Sequence, residues 1–464
     1  ALMILSFLLV AALWNTSTAT QFHASWTNSD ARGSAESLTV VWKGDAGSRS
    51  ALQAKFCEAA DGSACAVVEG VTRESGTQNG SLWQATANTL KPSTPYKIKV
   101  MEKSGEWGKD AFELRTAPSP TEDDQSFSFV FVGDTGLIGR DDGLANATER
   151  VISLIGDMDP LVVLLGGDMA YADNDRRFTN SDDGIDFFFQ EIQPLARKTV
   201  LMPTYGNHER YEGINSWKQR FALPKGLDGH DTGVFYSFTV GAVRFISIAG
   251  PKCKRGLMDG GIDWIKDELE AAQNDPSIKW TIPYFHVSPF ANGHSHPSNM
   301  NLRQELLEMF ASHGVRLVLN AHDQNYERTY PVLPNDKLEE HYQFAMEKQD
   351  DIQCYDENTA GTIFIKTSPG GKLSNHGGSF SKFRHGHPGA YTAVGDDRHH
   401  HILNVEVSED GNELNIKCIG IKDSNAKEAV VDSFRYTLNK NCNDHSQSHS
   451  KRKLKLTEQR ILQY

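Results

Sequence analysis

The chain has 464 residues, so two or three domains are expected rather than one. Its hydrophobic fraction of 39% suffices for packed cores. A net charge of −13 argues against nucleic acid as the main partner, because phosphate backbones call for a basic surface; a small phosphorylated substrate held through bound metal ions stays open.

Leu2 to Trp14 is an apolar stretch broken only by Ser6, and Ser17 and Ala19 follow at the −3 and −1 positions of a cleavage point. Residues 1–19 therefore read as a secretory signal peptide, although no Lys or Arg precedes the apolar core. The run is too short to span a bilayer comfortably, and no other approaches that length, so no membrane span is expected. Six cysteines suit an oxidising compartment. Cys57 and Cys65 flank the turn signal Asp61-Gly62 and could clip a hairpin, while Cys253, Cys354, Cys418 and Cys442 allow three pairings. Asn79-Gly80-Ser81 and Asn146-Ala147-Thr148 are glycosylation sequons in a secreted chain. The expected location is secreted or vacuolar/lysosomal.

Residues 20–117 read as an all-β unit. Ser37–Trp42, Leu52–Cys57, Ala64–Glu69 and Lys97–Met101 are short β-rich runs separated by turn residues. Leu90 to Tyr96 followed by Lys97-Ile98-Lys99-Val100 resembles the tyrosine corner and next strand of a fibronectin type III sandwich, with Trp42 as its core tryptophan. Residues 118–124, with two prolines and an acidic run, read as a linker.

From residue 125 to 441 the pattern becomes α/β. Ser126–Val132 is a strand ending in Gly133-Asp134-Thr135-Gly136, Ala147–Ile155 a helix, and Leu161–Leu165 a buried strand ending in Gly166-Gly167-Asp168. A helix is expected over Asp186–Leu195 and a strand over Thr199–Thr204 leading to Gly206-Asn207-His208-Glu209. Val234–Val240 and Ala242–Ala249 form a hairpin at Gly241. Helices follow around Ile262, Ile265 and Leu269 and around Leu302, Leu306 and Phe310. Strands Ile278–Phe285 and Val315–Leu319 lead to His286 and His322, and Thr362–Lys366 and His401–Val407 add further strands. The architecture implied is two β-sheets flanked by helices, with a site along one edge. Residues 442–464 form a polar, then basic tail.

The candidate site residues are Asp134, Asp168, Tyr171, Asn207, His208, His286, His294, His296 and His322, each directly after a strand or in the loop beyond it. Converging carboxylate and imidazole donors suit zinc, manganese or iron rather than calcium. Two ions about 3.5–4 Å apart would clamp the attacking and leaving oxygens of a phosphoryl transfer, with Asp168 as the shared bridge. The histidines His385, His387, His399, His400 and His401 read mostly as surface and loop residues.

The ordered set GDTG, GDMAY, GNHE, FHVSPF and AHDQNYER resembles the purple acid phosphatases of the calcineurin-like metallophosphoesterases, plant-type members of which carry a fibronectin III-like domain in front. The resemblance implies a metallophosphoesterase fold and an acid phosphatase that hydrolyses phosphate monoesters, with metal-bound hydroxide as nucleophile. It implies two metal ions, Fe(III) plus Zn, Mn or Fe(II). Asp134, Asp168 and Tyr171 would hold the first ion, and Asp168, Asn207, His286 and His322 the second. His208 would contact the substrate phosphate, and His294 or His296 would do likewise or protonate the leaving alcohol. One position departs: where the family has a second histidine in Gly-His-x-His, this chain has Gln324, whose amide oxygen is a weaker ligand than imidazole. The partners expected are small phosphorylated substrates, with a homodimer as assembly. Two rivals stand beside this reading: a phosphodiesterase or nucleotide pyrophosphatase, and a non-catalytic phosphate-binding or interaction protein, which Gln324 favours.

Overall fold

A computed structural model describes residues 20–442 except 31, 46–50, 61, 63, 74–80, 104, 227–232, 250–256, 258–259 and 350–351. The expected signal peptide, the sequon at Asn79, Cys253 and residues 443–464 lie outside the described residues.

Two large sheets organise the chain. In one, the strands Phe127–Val132, Val162–Leu165 and Val200–Pro203 run parallel, and His400–Val407 pairs antiparallel with the first of them. Their apolar runs are continuous because both faces are covered. Phe129 and Phe131 face the core between the sheets, while Val130 and Val132 face the helices. The second sheet has seven strands, among them the parallel set Val243–Ser247, Trp280–Val287, Leu317–Ala321 and Ile363–Thr367. The mixed α/β architecture with helices outside is the one expected from the sequence.

Residues 20–117 do not stand apart from this core. Ala24 of Thr20–Ser25 pairs in parallel with Val200, so the first sheet runs on through Leu38–Gly44 and Ser81–Ala87 and reaches eleven strands. Its partner layer contains Gln53–Glu58, Pro95–Lys103 and Phe112–Arg115. Trp42 is fully buried between the layers, its indole N–H donating to the Met101 carbonyl at 2.8 Å. Tyr96 accepts from the Lys91 N–H at 2.9 Å. The stretch 118–124 is tied down: the Pro118 carbonyl accepts from Gly241 N–H, and Glu122 accepts from Ser119 N–H.

The helix expected over Asp186–Leu195 is two helices, Ser181–Glu191 and Gln193–Ala196. Asn180 caps the first by accepting from Asp183 N–H, and Pro194, which has no N–H, restarts the chain in the second. Cys57 is bonded to Cys65 across the hairpin, and Cys354 to Cys442; Cys418 is a buried free thiol. No helix among the described residues is long and apolar enough to cross a membrane.

Candidate metal centre

Five of the parallel strands, three in one sheet and two in the other, deliver a polar residue at or just past their ends. Asp134 and Asp168 follow the strands Phe127–Val132 and Val162–Leu165; Asn207 opens the helix Asn207–Glu212 just past Val200–Pro203; His322 follows Leu317–Ala321. His286 sits inside Trp280–Val287, where the pairing jumps from Phe285↔Asn320 to Val287↔Ala321. That irregularity re-aims the ring toward the edge. Three of these residues, and Tyr171 beside them, hold left-handed backbone conformations: Asp134 (φ 57°), Asp168 (φ 51°), Tyr171 (φ 54°) and His322 (φ 76°). Non-glycine residues persist there only where their surroundings over-determine them, and such positions cluster at functional sites. Gly206 makes room, because a Cβ there would lie 2.3 Å from Asp168 Oδ1.

Asp168, His286 and His322 are buried and bring their ligand atoms together. His286 Nε2 is 3.0 Å from Asp168 Oδ2 and 3.0 Å from His322 Nδ1. Its other nitrogen lies 2.8 Å from the Gly166 carbonyl, which can only accept, so Nδ1 carries the hydrogen and Nε2 faces the cluster. Burial opposes charge on His286, but Asp168 outweighs it and holds the imidazole up at about 10. Burial and the neighbouring rings of His296 and His286 push His322 well below its ordinary value. The other carboxylate oxygen, Asp168 Oδ1, accepts the His208 N–H at 2.8 Å.

Asp134 is fully buried, and its Oδ2 accepts from the His322 N–H at 2.9 Å and the Ser368 hydroxyl at 2.7 Å. Its Oδ1 accepts the Tyr171 hydroxyl and, at 3.0 Å, the Gln324 amide. Burial and then the charge of Asp134 push the Tyr171 phenol well above its usual range. Lys372 lies over the Tyr171 ring, its Nζ 4.1 Å from the centroid. Burial and then the Arg140 charge lower this lysine to about 8.

The donors present fit metal ions. Asn207 Oδ1 is buried without a hydrogen-bond partner, beside a site where carboxylate and imidazole lone pairs converge. Unpartnered buried acceptors are rare, and a cation is a partner that satisfies them.

His208 packs its ring on Tyr171 at 4.1 Å between centroids, and its Nδ1 lies 2.6 Å from Asp173. Of the two loop histidines, His296 stacks on His322 with centroids 4.0 Å apart. His294 is exposed, and none of its described contacts reaches the cluster. Several supporting residues were not picked out from the sequence. Glu209 accepts three main-chain N–H groups, from Asp168, Met169 and Gly206, and so holds two motif turns together. Asp323 points away from the metal ligands beside it: it accepts from Gly293 N–H and His296 N–H and pairs with buried Lys366. Both acids lie inside motifs that had been recognised, whereas Lys372 and Ser368 flank a Pro-Gly-Gly turn that no motif marked.

Carboxylate and imidazole side chains thus converge on the strand ends of a two-sheet core. Residues 127–326 match the calcineurin-like phosphoesterase family model. The chain is 25% identical over 278 residues to purple acid phosphatase 23 of Arabidopsis thaliana, covering 54% of this chain and 58% of that protein. It is 28% identical over 288 residues to an uncharacterised Mycobacterium tuberculosis protein, covering 56% and 53%. Its fold is similar to that of purple acid phosphatase PPD1 from yellow lupin (Lupinus luteus) seeds, with a TM-score of 0.72 at 17% identity over 91% of this chain and 75% of that one. Residues 127–326 are thus a calcineurin-like phosphoesterase domain, and the chain is similar to the purple acid phosphatases. It spans a little over half the length of those curated relatives.

Proposed function

We propose that the protein hydrolyses phosphate monoesters at this centre. The observation that carries the reading is the convergence of Asp168, His286 and His322 beside the unpartnered Asn207 Oδ1. Asp168, Asn207, His286 and His322 would hold one ion, and Asp134, Tyr171 and Asp168, with Gln324 as a weak fourth donor, the other. A bound pair, Fe(III) with Zn, Mn or Fe(II), would supply Lewis acidity and lower the pKa of water. Asp168 would be the residue common to both sets. His208, fixed by Asp173 and stacked on Tyr171, orients the phosphate oxygens. His296, whose ring lies against His322, delivers a proton to the departing alkoxide. Residues 20–117 as a fibronectin III-like sandwich, 118–124 as connector and 125–441 as the phosphoesterase domain are the organisation this reading assumes. A secreted or vacuolar location is supported by the two disulfides.

Turnover of p-nitrophenyl phosphate against its bis ester tests the substrate class. The monoester should be the faster substrate by a wide margin; the reverse ratio would assign the protein to the phosphodiesterases. One observation favours the second reading, a phosphate-binding protein without turnover: the Gln324 amide hydrogen-bonds Asp134 and Tyr171, the donors of the first site. Phosphate binding with no hydrolysis of either ester, in the metal-loaded protein, would decide for it.

A further inference from the structure

We propose that Asp396, His399 and His401 form a separate metal site, suited to one zinc ion. It lies at a tight turn between the strands Thr392–Asp396 and His400–Val407, which belong to different sheets. His399 and His401 are two apart, so extended backbone puts both rings on one side. The three ligand atoms lie within 4.8 Å of one another. His399 Nδ1 is 2.9 Å and His401 Nε2 3.1 Å from the same oxygen, Asp396 Oδ1. Ligand atoms around tetrahedral zinc stand about 3.3 Å apart for bonds of about 2.0–2.2 Å. A small opening of the cluster admits the ion.

His401 Nδ1 is 2.8 Å from the Ser368 carbonyl, an acceptor only, so Nδ1 carries a hydrogen and Nε2 is the nitrogen turned to the cluster. Asp396 Oδ1 also accepts the main-chain N–H groups of Arg398 and His399, each at 3.0 Å, so the turn's own backbone holds the carboxylate in place between the two rings. A carbonyl fixing the far nitrogen of a ligating histidine is also the usual supporting contact at metal sites. The His401 ring is fully buried, while the His399 and Asp396 side chains keep 24% and 17% exposure, which leaves an entry path and a place for water as fourth ligand. Imidazole and carboxylate donors select zinc over magnesium or calcium. A zinc ion here would clamp the two sheets at their connection. It would also steady Ser368, whose hydroxyl donates to Asp134 Oδ2 at 2.7 Å.

The test uses the full chain incubated with Zn(II), dialysed, and assayed for zinc per chain by elemental analysis. His399→Ala and Asp396→Asn should each contain one zinc fewer than the parent. In the unaltered chain, zinc should shield His399 from carbethoxylation by diethyl pyrocarbonate, read by peptide mass spectrometry, and the shielding should persist in His286→Ala. Zinc content equal to the parent in both turn variants, or modification of His399 at one rate with and without zinc, overturns the proposal. The second readout needs no substitution at the turn to fold.

Discussion

The two halves of the proposed metal centre are built from similar donors and are held differently. In the half made by Asp168, Asn207, His286 and His322, the ligand atoms touch one another but the Asn207 Oδ1 stays without a hydrogen-bond partner, with Gly166 fixing His286 and the His208 N–H fixing Asp168. In the half made by Asp134, Tyr171 and Gln324, hydrogens of two of the three side chains are spent on the third. The phenol donates to Asp134, and the Gln324 amide reaches both. A neutral imidazole at position 324 could offer a lone pair with its one hydrogen directed away. An amide carries both an acceptor and a pair of hydrogens, so it can close the first site on itself. A half-turn of the amide would present Oε1 instead, which is how Gln324 could still serve a metal.

The largest effect should come from the residue shared by both halves. Asp168→Ala is expected to lose both ions and to lower phosphatase activity by well over about 100-fold, beyond the 10–100-fold typical of removing a supporting contact alone. Retention of both ions would break the comparison at its hinge. Next, His296→Ala should lower kcat by about 10²-fold, in the range of a lost proton donor. His294→Ala, at an exposed position, should stay within about twofold. Equal losses in the two variants would remove His296 from its role.

Gln324→His reopens the first half. Iron retained after dialysis should rise toward one ion per chain, with affinity up by about 10-fold or more, the scale of a changed metal contact. Unaltered iron retention would mean that the amide is no handicap. The smallest effect concerns the loop that follows Asp134. Glu191 accepts the Ile138 N–H at 3.0 Å, and burial raises its carboxyl from 4.5 to about 8. Between those pH values the folded protein holds a proton that the unfolded chain releases, so this contribution is complete below pH 4.5 and declines as pH rises to 8. Glu191→Gln should therefore match the parent's melting temperature near pH 4.5 and exceed it at pH 8. Parallel melting curves for the two proteins at both values would contradict the burial argument.

The strand ends were legible in the sequence because each couples a short apolar run to a motif, and Asp134, Asp168, Asn207 and His322 lie at the ends where those runs stop. His286 was legible as a residue but not as a bulge, since a register shift depends on the neighbouring strand. The joining of residues 20–117 to the catalytic sheet was not legible either. The pairing of Ala24 with Val200 spans the whole intervening chain, and no local pattern announces such a contact. The same holds for Lys366 with Asp323 and Glu327: buried ion pairs form between residues whose sequence neighbours look like ordinary strand. His399 and His401 looked like loop surface from sequence, yet His401 is fully buried, because its strand is interior to the large sheet.

Metal content per chain tests the central claim most directly, measured by elemental analysis on protein from a secreting host, with the turn variant His399→Ala assayed alongside so that the Asp396 cluster is counted separately. Two ions remaining in His399→Ala, falling to none in the double variant with Asp168→Ala, is the predicted result. No ion remaining in His399→Ala after reconstitution with iron, zinc and manganese would contradict a dinuclear centre and with it the hydrolase.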